Sequence, residues 1–381
     1  MNAQTVTVTG ANDDDLDGHK EYQVGLSAEI LNVLSAGTSW VDRTSDSSIP
    51  HLFNGVSYGN GIFVSVGGEG KIYTSSDGSS WSSQDIVSDL SGMEGLNGVS
   101  YGNGTFVAVG DSGVLTTSSD GAVWERNDDS VTYTSDNLKG ITFGNGTFVA
   151  VGDYGVLVTS SDGAVWDRNG DSGISESLKG ITFGDGTFMA VGDYGKIYTS
   201  PDGATWSNKS DPNVYSILSG VSYGNGSFVA VGSSGTILTS SDGGASWENR
   251  EDPEVTSQDL HGVSYGNGTF VAVGYDKTMI TSPDGVAWTS IHSPSSGGYR
   301  KYIGVTYANN TFVAVGHDTG SSEGVILTSS NAVSSTNEST QLGLYNLDDD
   351  FPEDVTVAVS SSNTGEAEVD TETLTFTPDN W

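Results

Sequence analysis

The chain has 381 residues, with 13 Lys and Arg against 49 Asp and Glu, a formal charge of −36. Such acidity repels phosphate backbones and anionic lipid, so it argues against a nucleic-acid partner and favours cations in a calcium-rich or salty exterior. Without Cys there is no disulfide, thiol catalysis or thiolate metal site, and no apolar run is long enough to cross a membrane.

Met1 to Thr9 has neither a charged n-region nor an apolar h-region, so it does not read as a signal peptide. An exported protein would therefore begin naturally elsewhere. Thr5–Thr9 alternates as a half-buried strand does. An acidic turn follows, with Asp13, Asp14, Asp15 and Asp17, and then a second strand, Glu21–Leu26. Two strands cannot bury a core, so residues 1–36 require a partner elsewhere.

From residue 37 to 331 one pattern recurs. Its clearest copy is Gly98-Val-Ser-Tyr-Gly-Asn-Gly-Thr-Phe-Val-Ala-Val-Gly110 followed by Val114-Leu-Thr-Thr-Ser-Ser-Asp-Gly-Ala-Val-Trp124. The opening glycine returns as Gly55, Gly98, Gly140, Gly180, Gly220, Gly262 and Gly304, at steps of 43, 42, 40, 40, 42 and 42 residues. A period near 40 with short apolar runs in each copy predicts a β-propeller of seven blades. Within each copy Gly-Asn-Gly, or Gly184-Asp-Gly186, or Ala308-Asn-Asn310, supplies the positive φ angles of a tight hairpin. The sequons at Asn103, Asn145, Asn225, Asn267 and Asn309 mostly coincide with this turn, and Asp185 in one copy indicates that the turn chose the residue.

The third strand of each copy ends in Ser-x-Asp-Gly-x-x-Trp. Asp77, Asp120, Asp162, Asp202, Asp242 and Asp284 carry the motif, with Trp81, Trp124, Trp166, Trp206, Trp247 and Trp288 behind them. The seventh copy stops at Leu327–Asn331 without Gly or Trp, whereas Gly37-Thr-Ser-Trp40 at the front matches the missing part. The last blade is therefore expected to take its outer strand from the N-terminal side, which ties the ring.

Beyond residue 331 the pattern ends. Gln341–Leu347, Asp354–Val359 and Leu374–Thr377 read as strands, with Asp348, Asp349 and Asp350 in a turn. Read C-terminal piece first, Leu374-Thr-Phe-Thr-Pro-Asp-Asn-Trp381 runs into Gln4-Thr-Val-Thr-Val-Thr-Gly10, the acidic turn and Tyr22-Gln-Val-Gly-Leu26. This order resembles the Calx-β-like repeats of giant bacterial surface proteins, over roughly 80 residues in two pieces. The expectation is one period of a longer tandem array, cut inside such a domain. A circular permutation would give the same sequence.

The Ser-x-Asp-Gly-x-x-Trp turns resemble the Asp-box of BNR-type propellers. Only Ser240–Trp247 has the full family length, and the other five are one residue shorter. Their expected role is structural: the Asp accepts turn amides, the Gly relieves the turn and the Trp packs between blades. BNR propellers include sialidases that use an arginine cluster, but this chain has five Arg. Arg43, Arg126, Arg168 and Arg250 fall on outer strands, and Arg300 stands apart. The expectation is a non-enzymatic propeller.

Two binding candidates remain. The loops between second and third strands, such as Asp153-Tyr-Gly155 and Asp193-Tyr-Gly195, form a ring of Asp and Tyr that could hold a cation or stack on a sugar, although a solvated turn, which Asp favours, is the simpler reading. The departing copies, with Asp276, Lys277, Arg300, His317 and Asp318, are the expected place of any ligand pocket. Clustered carboxylates at Asp13, Asp14, Asp15, Asp17, Glu21, Asp348, Asp349 and Asp350 offer the oxygens that calcium takes, as the resemblance to Calx-β domains implies.

The expected architecture is all-β: a seven-bladed β-propeller of four-stranded blades over residues 37–331, plus a small β-sandwich built from residues 332–381 and 1–36. The expected function is an extracellular structural or adhesive unit that joins neighbouring copies head to tail through the split sandwich. The alternative is a carbohydrate-binding or glycosidase-type propeller that contacts surface glycans.

Overall fold

The structure, a computed structural model, describes residues 37–44, 51–84, 95–127, 136–168, 172–294, 298–321 and 323–330, and the backbone of four short strands nearer the chain ends. The chain divides into two units, residues 33–333 and the two end segments 1–32 and 334–381.

The larger unit is a ring of seven four-stranded antiparallel sheets. Blade three shows the plan: inner strand Leu138–Gly144, second strand Thr147–Gly152, third strand Leu157–Ser160 and outer strand Asp167–Arg168. The second strand is buried on both faces, which is why Phe-Val-Ala-Val-Gly reads as a continuous apolar run rather than an alternation. Phe106, Ala108 and Trp124 of blade two pack with Val64, Val66 and Ile72 of blade one, while Val107 and Val109 pack with blade three. The core is thus a set of interblade layers. No blade has a core of its own.

Between inner and second strands the Asn-Gly pair takes up left-handed backbone, as at Asn145 (φ 47°) and Gly146 (φ 77°), the conformation that a two-residue hairpin demands. The opening glycines have a different reason. They line the axis, where neighbouring inner strands nearly touch: a Cβ on Gly262 would lie 2.6 Å from the Ile303 carbonyl oxygen, and one on Gly220 2.8 Å from that of His261. One residue before each glycine the inner strand bulges, for example between Leu138 and Gly140.

The seventh blade closes the ring. Its inner, second and third strands are Arg300–Ala308, Thr311–Asp318 and Gly324–Ser330, and its fourth is Val41–Asp42, paired as Val41↔Thr328 and Asp42↔Leu327. Trp40 enters the layer between blades six and seven beside Val271, Met279 and Phe312.

In the smaller unit two antiparallel pairings are described. Gln23–Val24 pairs with Leu344–Tyr345, joining the two ends of the chain, and Val355–Ala358 pairs with Thr373–Phe376.

Candidate functional site

The strand order gives the ring two unlike ends. One end carries the hairpins and the Asp turns. The other carries the loops between second and third strands and the connections from each outer strand to the next blade.

Five of the six Asp turns are built alike. Asp120 Oδ1 accepts the amides of Ala122 (2.9 Å) and Val123 (3.0 Å), Ser118 Oγ accepts the Gly121 amide, and Trp124 Nε1 donates to the Gly121 carbonyl. Asp77, Asp162, Asp202 and Asp284 repeat this with Trp81, Trp166, Trp206 and Trp288. In the longer turn Asp242 accepts the Ser246 hydroxyl and amide, ahead of Trp247. The amides of Val123, Val165, Thr205 and Val286 are the leading reason that Asp120, Asp162, Asp202 and Asp284 stay below the ordinary carboxylate range. Ser246 does the same for Asp242. At Asp77 burial pulls upward and is outweighed by the Ser80 and Ser79 amides. These carboxylates are occupied by their own turns, and no Lys or Arg occurs in the turns of this end.

The loop end is where the repeat is broken. All the described lysines of the ring gather there. Lys139, Lys179 and Lys301 lie near the starts of inner strands, Lys71 and Lys196 directly before third strands, and Lys277 in a loop. The Lys209 amide bonds Ile197 at the start of a third strand. Lys139 and Lys179 occupy the bulge position before the opening glycine, where other blades have Asn54, Asn97, Ser219, His261 and Ile303.

From there the two lysines cross to neighbouring loops. Lys139 Nζ lies 3.2 Å from Asp111 and 3.8 Å from Asp153, and Lys179 Nζ lies 3.6 Å from both Asp153 and Asp193. Asn97 and Asn137 donate to Asp111 (2.8 Å) and Asp153 (3.0 Å). The result is an arc of alternating charge over blades two to four. Each half-exposed pair contributes at most about 1 kcal/mol, so the arc orders the face more than it stabilises the fold.

Beside the arc stand exposed aromatic rings. Tyr154 and Tyr194, the middle residues of equivalent loops in blades three and four, are 76% and 67% exposed, and Tyr215 is 75% exposed. Tyr154 (φ 55°) and Tyr194 (φ 59°) hold left-handed backbone that a bulky residue rarely adopts. The Gly195 amide donates to the Ser216 carbonyl (2.8 Å), so the segments carrying Tyr194 and Tyr215 are neighbours.

Across the ring, Lys301 pairs in register with His317, and His261 faces them from blade six. Burial first and Lys301 second push His261 down to about 4, and the same causes lower His317. Arg300 is not a free ligand-binding side chain: Nη1 lies 2.6 Å from Asp42 and Nε 3.9 Å from Asp318, tying the N-terminal strand to blade seven. Asp276 and Lys277 hold left-handed backbone in the loop of blade six.

A central cavity of about 160 Å³ lies on the axis, lined by the seven opening glycines and the Val or Ile that follows each. It is common to all seven blades rather than peculiar to the last two. Asp13, Asp14, Asp15, Asp17, Glu21, Asp348, Asp349 and Asp350 lie outside the described residues. Among the described residues no cluster of three or more metal-ligating side chains occurs, and no helix is long and apolar enough to cross a membrane.

The DUF6242 beta propeller domain matches residues 123–260, which places the central blades near that domain type. No curated protein matches the chain. Among solved structures it is similar to Ycf48 bound to D1 peptide, with TM-score 0.61 and 14% identity over 77% of this chain and 96% of that one. Ycf48 from Cyanidioschyzon merolae gives TM-score 0.58 and 15% identity over 76% and 98%. Virginiamycin B lyase from Staphylococcus aureus gives TM-score 0.61 and 9% identity over 76% and 98%. At these identities the likeness is one of fold alone.

Proposed function

We propose that this chain is a non-enzymatic, extracellular structural and adhesive unit whose propeller is a rigid disc that presents its loop end to a partner. The observation that carries this reading is the contrast between the two ends. The turn end repeats the same Asp turn, in a longer form at Asp242, with each described Asp carboxylate held by its own turn. The loop end concentrates the described lysines, the charged arc and the exposed tyrosines. A ring built from near-identical units breaks its pattern where selection acts on something other than closure.

The carboxylates of the arc are each opposed by a lysine, an arrangement suited to display rather than to the unpaired, desolvated acid of a hydrolase. That Ycf48 has been solved with a bound peptide fits a propeller working as a binding platform. The end segments, resembling Calx-β-like halves, would link units into an array, with calcium on their acidic turns.

The test is adhesion of the purified chain to bacterial or host surface material, with substitutions at each end. Lys139→Glu with Lys179→Glu should abolish adhesion, whereas Val123→Ser with Val165→Ser on the turn end should leave it intact. Loss only with the turn-end variant would overturn the reading.

A further inference from the structure

We infer that the loop end over blades three to five is a binding site for a neutral saccharide, with Tyr194 and Tyr215 as its stacking platform. This rests on the reading of the loop end as the recognition surface and adds the chemical class of the ligand.

Three observations carry it. First, Tyr194 and Tyr215 are each largely exposed, and the Gly195–Ser216 backbone hydrogen bond makes the two segments that carry them neighbours. Tyr154 offers a third ring at the equivalent loop of the next blade. Second, these rings are not explained by stability. Tyr154 and Tyr194 sit in left-handed backbone, where Asn or Gly would be less strained, and they bury little apolar surface in return. The corresponding positions of other blades hold Glu69, Ser112, Ser234 and Asp276, so the turn itself does not require an aromatic ring.

Third, the polar groups beside the rings are charged and paired. Asp153 and Asp193 flank Lys179 at 3.6 Å each, giving fixed donors and acceptors, with the arc as a whole carrying one carboxylate more than its lysines. A cationic or anionic chain would have to break these pairs. An apolar helix would need a groove, and the rings stand proud of the surface. A sugar needs the combination present: an aromatic face for its C–H groups, and carboxylate and ammonium groups for its hydroxyls. Burial of a ring edge against a pyranose also repays the strain of holding a tyrosine in that turn.

The experiment is a printed array of neutral and anionic oligosaccharides probed with the full chain, followed by calorimetry on the best binder. Wild type should select neutral glycans, and affinity should change little between low and high salt, since no net charge is neutralised. Tyr194→Ser and Tyr215→Ser should each weaken binding about tenfold or more. Tyr299→Ser, an exposed tyrosine of blade seven, should bind as wild type, and unchanged melting temperatures show that the variants are folded. No array binding by a chain that still adheres through its lysine arc overturns the saccharide assignment and leaves the loop-end reading standing. Selection of anionic glycans, with steep salt dependence, overturns it as well. Tightly bound sugar insensitive to both tyrosine variants overturns the site.

Discussion

The amide of Gly37 donates to Ser329 Oγ at 3.1 Å across 292 residues of chain, and Trp40 Nε1 donates to the Gly37 carbonyl. These are the bonds that Gly121, Ser118 and Trp124 make within one turn of blade two. The seventh turn is thus split between two distant segments and rebuilt when the ring closes. Trp40→Ala, which removes a side chain buried between blades six and seven, should cost about 3–5 kcal/mol. Ser329→Ala should cost about 1 kcal/mol. Chemical denaturation monitored by tryptophan fluorescence measures both. If Trp40→Ala unfolds at the wild-type midpoint, closure is not part of the stability of the ring.

The axial glycines make a second prediction. Gly262→Ala places a methyl 2.6 Å from the Ile303 carbonyl, a backbone atom that cannot swing aside. Gly268→Ala meets nothing within 4 Å and strains only its own left-handed turn (φ 75°). The first should destabilise by about 1–3 kcal/mol and the second by about 1–2 kcal/mol. The axial variant alone should shift the packing of blade seven, visible in the methyl NMR signals of Val305 and Val315.

Acid should weaken the fold in two stages. His261 is held neutral, with its pKa pushed down to about 4 by burial and by Lys301. The unfolded chain takes up that proton near pH 6.5, so stability is full above pH 6.5 and falls as pH drops toward 4. The Asp turns act lower. Their folded pKa values are depressed, so their contribution is present above about pH 4 and is lost as pH falls further. Melting temperature against pH should show both limbs; His261→Gln should shrink the upper one, to which His317, lowered by the same causes, also contributes, and should leave the lower one unchanged.

Replacing Tyr154 by Asn relieves a bulky left-handed residue and uncovers little core. Its melting temperature should equal or exceed that of the parent, because Asn tolerates this backbone. A clear loss of stability would show that the ring is structural.

Much of the ring was legible before any coordinates. Glycine spacing gave seven blades, and Trp40 revealed the borrowed strand because both are local signals repeated many times. The arc was not legible. Lys139 and Asp111 are 28 residues apart, in different blades, and meet only because the inner-strand bulge aims one side chain at the neighbouring loop. The signal that could have found it is variation at one fixed place, the residue before each opening glycine, where Lys139 and Lys179 stand among Asn, Ser, His and Ile. The Arg300–Asp42 pair was not legible either, because the partners lie 258 residues apart in sequence.

The direct test of the loop end as the recognition face is hydrogen exchange of the chain free and bound to the surface material it adheres to. The account predicts slowed exchange at residues 153–155, 193–195 and 214–217, with 120–124 and 162–166 unchanged. Protection confined to those turn-end segments would contradict it.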